Sequence, residues 1–135
     1  MDEKSGLIQR AIDAAKQAYI PYSNYLVGAA LLTKSGNIYS GCNIENSSFS
    51  MTSCAERNAI FKAVTEGERE WRMIVVATVN GVFPCGACRQ VMYEFNPELT
   101  VIVANFRGEI IREISVSDLL PYAFGPKNLI MEHKS

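Results

Sequence analysis

At 135 residues with 48% hydrophobic side chains, the chain suits a single domain over 1–135, large enough to bury about two-thirds of its unfolded surface. A formal charge of -1, with Lys and Arg scattered, excludes the basic footprint of a nucleic-acid reader and suits a small, nearly neutral ligand. No apolar run approaches the ~18 residues of a membrane span, and Asp2, Glu3 and Lys4 interrupt the amino end, so a cytoplasmic protein with no membrane partner is expected, its four cysteines serving metal binding or catalysis ahead of disulfides.

Between Glu3 and Tyr19, apolar residues recur at Leu7, Ile8, Ala11, Ile12, Ala15 and Ala18, the stripe of a helix that covers a sheet. Pro21-Tyr22-Ser23-Asn24 ends it. Tyr25 to Thr33 reads as a buried strand in which Gly28 leaves room for a close neighbour, and Ile38 to Ser40 returns antiparallel after the turn at 34–37. Gly41 to Ser53 is a polar loop. In an extended segment Asn43 and Glu45 would face the same side, where an amide and a carboxylate could clamp a sugar hydroxyl; spacing alone favours a solvated loop.

A second helix is expected from Ala55 to Glu66, stopped by Gly67 and burying Ala59, Ile60, Ala63 and Val64. Arg72 to Val79 is apolar enough for a central strand. The helix that starts near Cys85 turns Val91, Met92 and Phe95 inward and ends at Asn96-Pro97. Leu99 to Ala104 and Glu109 to Ile114 flank a turn, Ser117-Asp118 opens a short helix broken at Pro121, and His133 reads as a solvated tail residue. The sum is an α/β chain: a five-stranded mixed sheet with helices on both faces, a three-layer α/β/α sandwich.

Phe83-Pro84-Cys85-Gly86-Ala87-Cys88-Arg89-Gln90 sets two thiols three positions apart where a strand gives way to a helix. On a first helical turn both sulfurs share one face, and the unpaired N-H groups there favour the thiolates a metal needs. Cys54, in Thr52-Ser53-Cys54-Ala55-Glu56-Arg57, adds a third thiol at another helix start. Three sulfurs leave zinc one open position, and Glu56 beside it is placed to move protons. Three thiolates on Zn²⁺ sum to a net charge of -1, so a cation is expected nearby, and Arg57 is the first candidate, ahead of Arg89, which could simply face solvent. Were Cys42 a fourth ligand, the site would close and the chain would be a structural zinc-binding module without catalysis.

Cys54-Ala55-Glu56 followed by Pro84-Cys85-Gly86-Ala87-Cys88, together with Pro21-Tyr22-Ser23, Val27-Gly28-Ala29-Ala30-Leu31, Gly41-Cys42-Asn43-Ile44-Glu45-Asn46 and Leu119-Leu120-Pro121-Tyr122-Ala123-Phe124, resembles the short-chain cytidine deaminases with three cysteine ligands. The resemblance covers nearly the whole chain. It implies one Zn²⁺ per subunit on Cys54, Cys85 and Cys88, Glu56 as proton carrier, and Arg57 hydrogen-bonded to ligand sulfurs. It further implies base contact by the backbone of Ala55, ribose contacts by Asn43 and Glu45, Tyr25 packing by the substrate where phenylalanine is usual, and Phe124 reaching a neighbour's site in a homotetramer. The activity implied is hydrolytic deamination of cytidine and 2′-deoxycytidine in pyrimidine salvage. A relative acting on a cytosine-nucleoside antibiotic such as blasticidin S is the alternative enzyme. Two departures bear on substrate breadth: Phe49 stands where tyrosine is common, and Asn80-Gly81-Val82-Phe83 is shorter than the usual loop.

Overall fold

The computed structural model describes residues 2–129; His133 lies outside them. Helix α1 spans Glu3–Ala15, opened by Asp2, whose carboxylate accepts the Ser5 N-H at 2.7 Å. It stops short of the expected Tyr19, because Tyr19 pairs through its backbone with Asn43 and Glu45 instead. Strands β1 (Gly28–Thr33) and β2 (Ile38–Cys42) form a hairpin, followed by a 3-10 turn at Phe49–Met51 and helix α2 (Ala55–Thr65). Then come β3 (Trp71–Thr78), α3 (Gly86–Phe95), β4 (Thr100–Asn105), β5 (Ile110–Ser115), and the short helices α4 (Val116–Leu119) and α5 (Pro126–Leu129).

The strands order as β2-β1-β3-β4-β5, with β3 and β4 parallel and every other neighbouring pair antiparallel. That is the expected mixed sheet with β3 at its centre. The period-two alternation of side chains divides the core. Ala29, Leu31, Ile74, Val76, Val101 and Val103 pack toward α2 and α3, whereas Ala30, Leu32, Val75, Ala77, Ile102 and Ala104 pack toward Leu7, Ile8 and Ala11 of α1. On α3 the inward face is Cys88 and Met92, with Val91 and Phe95 only half-buried.

Strand β1 begins at Gly28, three residues later than the expected Tyr25, because residues 25–27 pair with a side chain. The Asn43 amide accepts the Val27 N-H at 3.0 Å and donates to the Tyr25 carbonyl at 2.8 Å. Two glycines set how closely the helices approach the hairpin. A Cβ on Gly28 would lie 1.9 Å from the Ala11 carbonyl of α1. One on Gly41 would lie 2.6 Å from the Ala55 carbonyl and 2.7 Å from the Ala59 nitrogen, so the first turn of α2 rests directly on β2. The turn of the hairpin is fastened by Glu68, which accepts from Ser35, Asn37 and Tyr39.

Candidate active site

Cys54 and Cys85 occupy the cap positions of α2 and α3, both in extended backbone, and neither sulfur is engaged in capping its helix. Both helices lie on one face of the sheet, so their amino ends meet where β3 finishes and β1 begins, with Gly28 opposite Ala77. Cys54 Sγ lies 3.7 Å from Cys85 Sγ, and Cys85 Sγ lies 3.5 Å from Cys88 Sγ. A zinc tetrahedron with ~2.3 Å bonds needs sulfurs roughly 3.8 Å apart, so the three thiols fit zinc as they stand. They also form the group able to hold a metal among the described residues, and Cys42 is not part of it.

The charge around the sulfurs matches a metal site. Arg57 Nη2 donates to Cys54 Sγ at 3.2 Å, and its Nε is buried without a partner among the described residues. The contact with the Cys88 thiol, helped by Arg57, holds Cys54 down to about 5, while the same contact and burial push the Cys88 thiol up. Glu56, only 4% exposed, is pushed up to about 7 by burial, with the Cys54 thiolate adding to it. A carboxyl poised there can both take and release a proton near neutrality.

A cavity of about 200 Å³ opens onto Glu56, lined by Val27, Asn43, Thr52, Ser53, Cys54, Ala55, Val76, Val82, Phe83 and Cys85. A larger depression of about 470 Å³ near Lys34, Arg69 and Trp71 contains no thiol and no buried carboxylate, and has no comparable chemistry. Of the residues expected at the site, Cys54, Cys85, Ala55, Glu56 and Asn43 line the first cavity, with Cys88 and Arg57 beside its thiol group. Glu45 faces an adjoining groove with Tyr22, Ser23, Phe49 and Thr52, so Thr52 borders both. Its carboxylate accepts the N-H groups of Tyr22 at 2.9 Å and Ser23 at 3.2 Å, and the Ser23 hydroxyl, first among these, holds it below the usual carboxylate range. Tyr25 reaches over to Asn80 through its hydroxyl. Phe124 stands outside the cavity of its own chain, 58% exposed, its carbonyl accepting from Gln90.

Arg89 does not face solvent. It is half-buried and donates from Nε to the Pro84 carbonyl at 2.8 Å and from Nη1 to the Leu119 carbonyl at 3.0 Å, tying the cysteine turn to the C-terminal segment. Asn58 was not anticipated either. It accepts the Ser53 hydroxyl at 2.7 Å and donates to the Cys42 carbonyl at 2.7 Å, fixing the approach to α2. Its position one turn beyond Cys54 on the same helix was the available signal.

Residues 1–104 match the family described as the cytidine and deoxycytidylate deaminase zinc-binding region. The chain belongs to this family. Among curated relatives of this deaminase family, the cytidine deaminase of Sporosarcina psychrophila is 53% identical over 126 residues, covering 91% of this chain and 92% of its own. That of Halalkalibacterium halodurans is 50% identical over 130 residues, covering 94% and 98%. The crystal structure of cytidine deaminase from Burkholderia pseudomallei superposes with a TM-score of 0.87 at 46% identity, covering 92% of this chain and all of that one (100%). The deaminase family is zinc-binding, in agreement with the three-thiol group.

Proposed function

We propose that the protein catalyses the zinc-dependent hydrolytic deamination of cytidine and 2′-deoxycytidine to uridine and 2′-deoxyuridine, releasing ammonia. The observation that carries this reading is Glu56, a buried carboxyl that lines a cavity together with Cys54 and Cys85 of the three-thiol group. The names of the relatives favour this enzyme over an antibiotic deaminase and over a non-catalytic zinc module. Cys54, Cys85 and Cys88 would hold one zinc per chain, and the metal when bound would supply the Lewis acid that makes water nucleophilic at neutral pH. Glu56 would take a proton from the attacking water and deliver it to N3 of the base as the oxygen adds to C4. It would then carry the proton of the new C4 hydroxyl to the exocyclic amine, so that the C4-N bond breaks, the C4 carbonyl forms and ammonia leaves. Arg57 spreads the negative charge of the thiolates, which would otherwise oppose the ionisation of water.

The backbone of Ala55 meets the base edge at the amino end of α2. Asn43 keeps one amide hydrogen and one lone pair beyond its bonds to Val27 and Tyr25, and Glu45 has an acceptor position left, so both retain capacity for ribose hydroxyls. Tyr25 packs beside the nucleoside. Phe124, exposed and outside its own cavity, completes the site of a neighbouring subunit in a homotetramer. A cytoplasmic pyrimidine-salvage role, with no nucleic-acid or membrane partner, fits the near-neutral charge, and no helix among the described residues is long and apolar enough to cross a membrane. Ultraviolet absorbance tests the proposal. Cytidine and deoxycytidine should lose absorbance at the cytosine band as the uracil product forms, and faster conversion of blasticidin S than of cytidine would reverse the substrate assignment.

A further inference from the structure

The short loop between β3 and α3 is anchored more firmly than its exposed, apolar tip requires. Val82 and Phe83 line the cavity and remain 38% and 41% exposed, so burial alone does not hold them. Polar and packing anchors do. The fully buried Thr78 hydroxyl accepts the Gly81 N-H at 2.8 Å and the Val82 N-H at 3.1 Å. Gly81, at φ +69°, sits against Ile111, whose Cγ1 would lie 2.5 Å from any Cβ there. Between them Asn80 accepts the Tyr25 hydroxyl, and Tyr25 is itself fixed through its carbonyl by the Asn43 amide. The hydrogen bonds thus link Asn43, in the cavity lining, through Tyr25 to Asn80, two residues before Val82 in the same lining.

We infer that the Tyr25-Asn80 bond is a clasp that keeps Val82 and Phe83 in their substrate-receiving position, which makes Asn80 a positioning residue for nucleoside binding. Asn80 is not among the residues that line the cavity, so it acts through the loop. Without the clasp the receiving conformation is one of several, and apparent affinity falls by the fraction of chains that hold it, while the bound complex and its chemistry are the same. The inference rests on the nucleoside deaminase reading, and the experiment separates the two. In Asn80→Ala, KM for cytidine should rise roughly 3- to 10-fold, the worth of one hydrogen bond, with kcat within about twofold. Asn80→Asp, which keeps the acceptor, should retain the parent KM. Tyr25→Phe added to Asn80→Ala should speed amide exchange in residues 79–83 no further. Hydrogen-exchange mass spectrometry on residues 79–83 provides a readout independent of turnover: exchange should speed up in Asn80→Ala and in Tyr25→Phe, but not in Asn80→Asp. Additive exchange effects of the two substitutions, or unchanged exchange in Asn80→Ala, would overturn the clasp. A parent protein inactive on cytidine would instead sink the functional reading, with the exchange data still deciding the clasp.

Discussion

At the scale of single residues, metal binding and proton transfer are assigned to different side chains, so they should separate by mutation. Glu56→Ala removes the carboxyl proposed to move protons and leaves the thiols intact. It should keep one zinc per chain and a parent-like melting temperature while losing roughly 10²- to 10⁴-fold in kcat, as measured by metal analysis beside single-turnover kinetics. Cys54→Ala should lose both metal and activity, and Cys42→Ser should keep both, since Cys42 stands apart from the thiol group. The thiols and Glu56 were legible in the sequence because their chemistry requires those residue types at helix starts. Arg89 was not, for its partners are the carbonyls of Pro84 and Leu119, and a main-chain acceptor leaves no mark on composition or spacing. The same reason hid the hold of Asn43 on the backbone of Tyr25 and Val27.

At the scale of elements, the apolar runs that identified the strands mark which segments are buried but not where pairing begins. A side chain that substitutes for a ladder partner, as Asn43 does ahead of Gly28, moves the boundary without disturbing the pattern. Helix α1 ended early for a similar reason, with Tyr19 recruited to the backbone of the loop after β2. The approach of α2 to β2 gives a sharper test. Gly41→Ala would drive a methyl into the Ala55 carbonyl and the Ala59 nitrogen. It should destabilise the fold by about 1–3 kcal/mol and shift Glu56 enough to lower kcat, a joint loss to be read by denaturant melts and initial rates. The hairpin turn gives a pH test. Hydrogen bonds from Ser35, then Asn37, hold Glu68 down to about 2 from its ordinary 4.5. Because the folded value lies below the unfolded one, the stability it adds is fully present above about 4.5 and is lost as pH falls toward 2. Glu68→Gln should therefore narrow the gap in melting temperature between pH 7 and pH 3, most visibly at low salt.

On the scale of the whole molecule, the exposed aromatic Phe124 and the modest cavity argue that one chain is an incomplete enclosure. Light scattering should give four chains per particle. Glu56→Ala and Phe124→Ala proteins, unfolded together and refolded as mixed oligomers, should regain activity above the average of the parents, because some sites then draw an intact residue from each chain. A monomer at assay concentration would remove that proposal while leaving the zinc chemistry in place.

The pairing of β1 with β3 joins partners 38 to 49 positions apart, Thr33 with Trp71 and Gly28 with Ala77, against 27 in β3 on β4, and it sets the order in which the site can assemble. It must close the longest connection in the sheet before it returns any contact, and α2 is part of that connection. The α3 thiols, Cys85 and Cys88, should accordingly reach Cys54 late in folding, with metal capture following the slow step. In stopped-flow refolding, release of zinc from a chromophoric chelator should track the last fluorescence phase of Trp71, the chain's one tryptophan, buried at the start of β3. Until then the nascent enzyme carries unligated thiols through its slowest interval, and its recovery depends on reductant more than on added zinc.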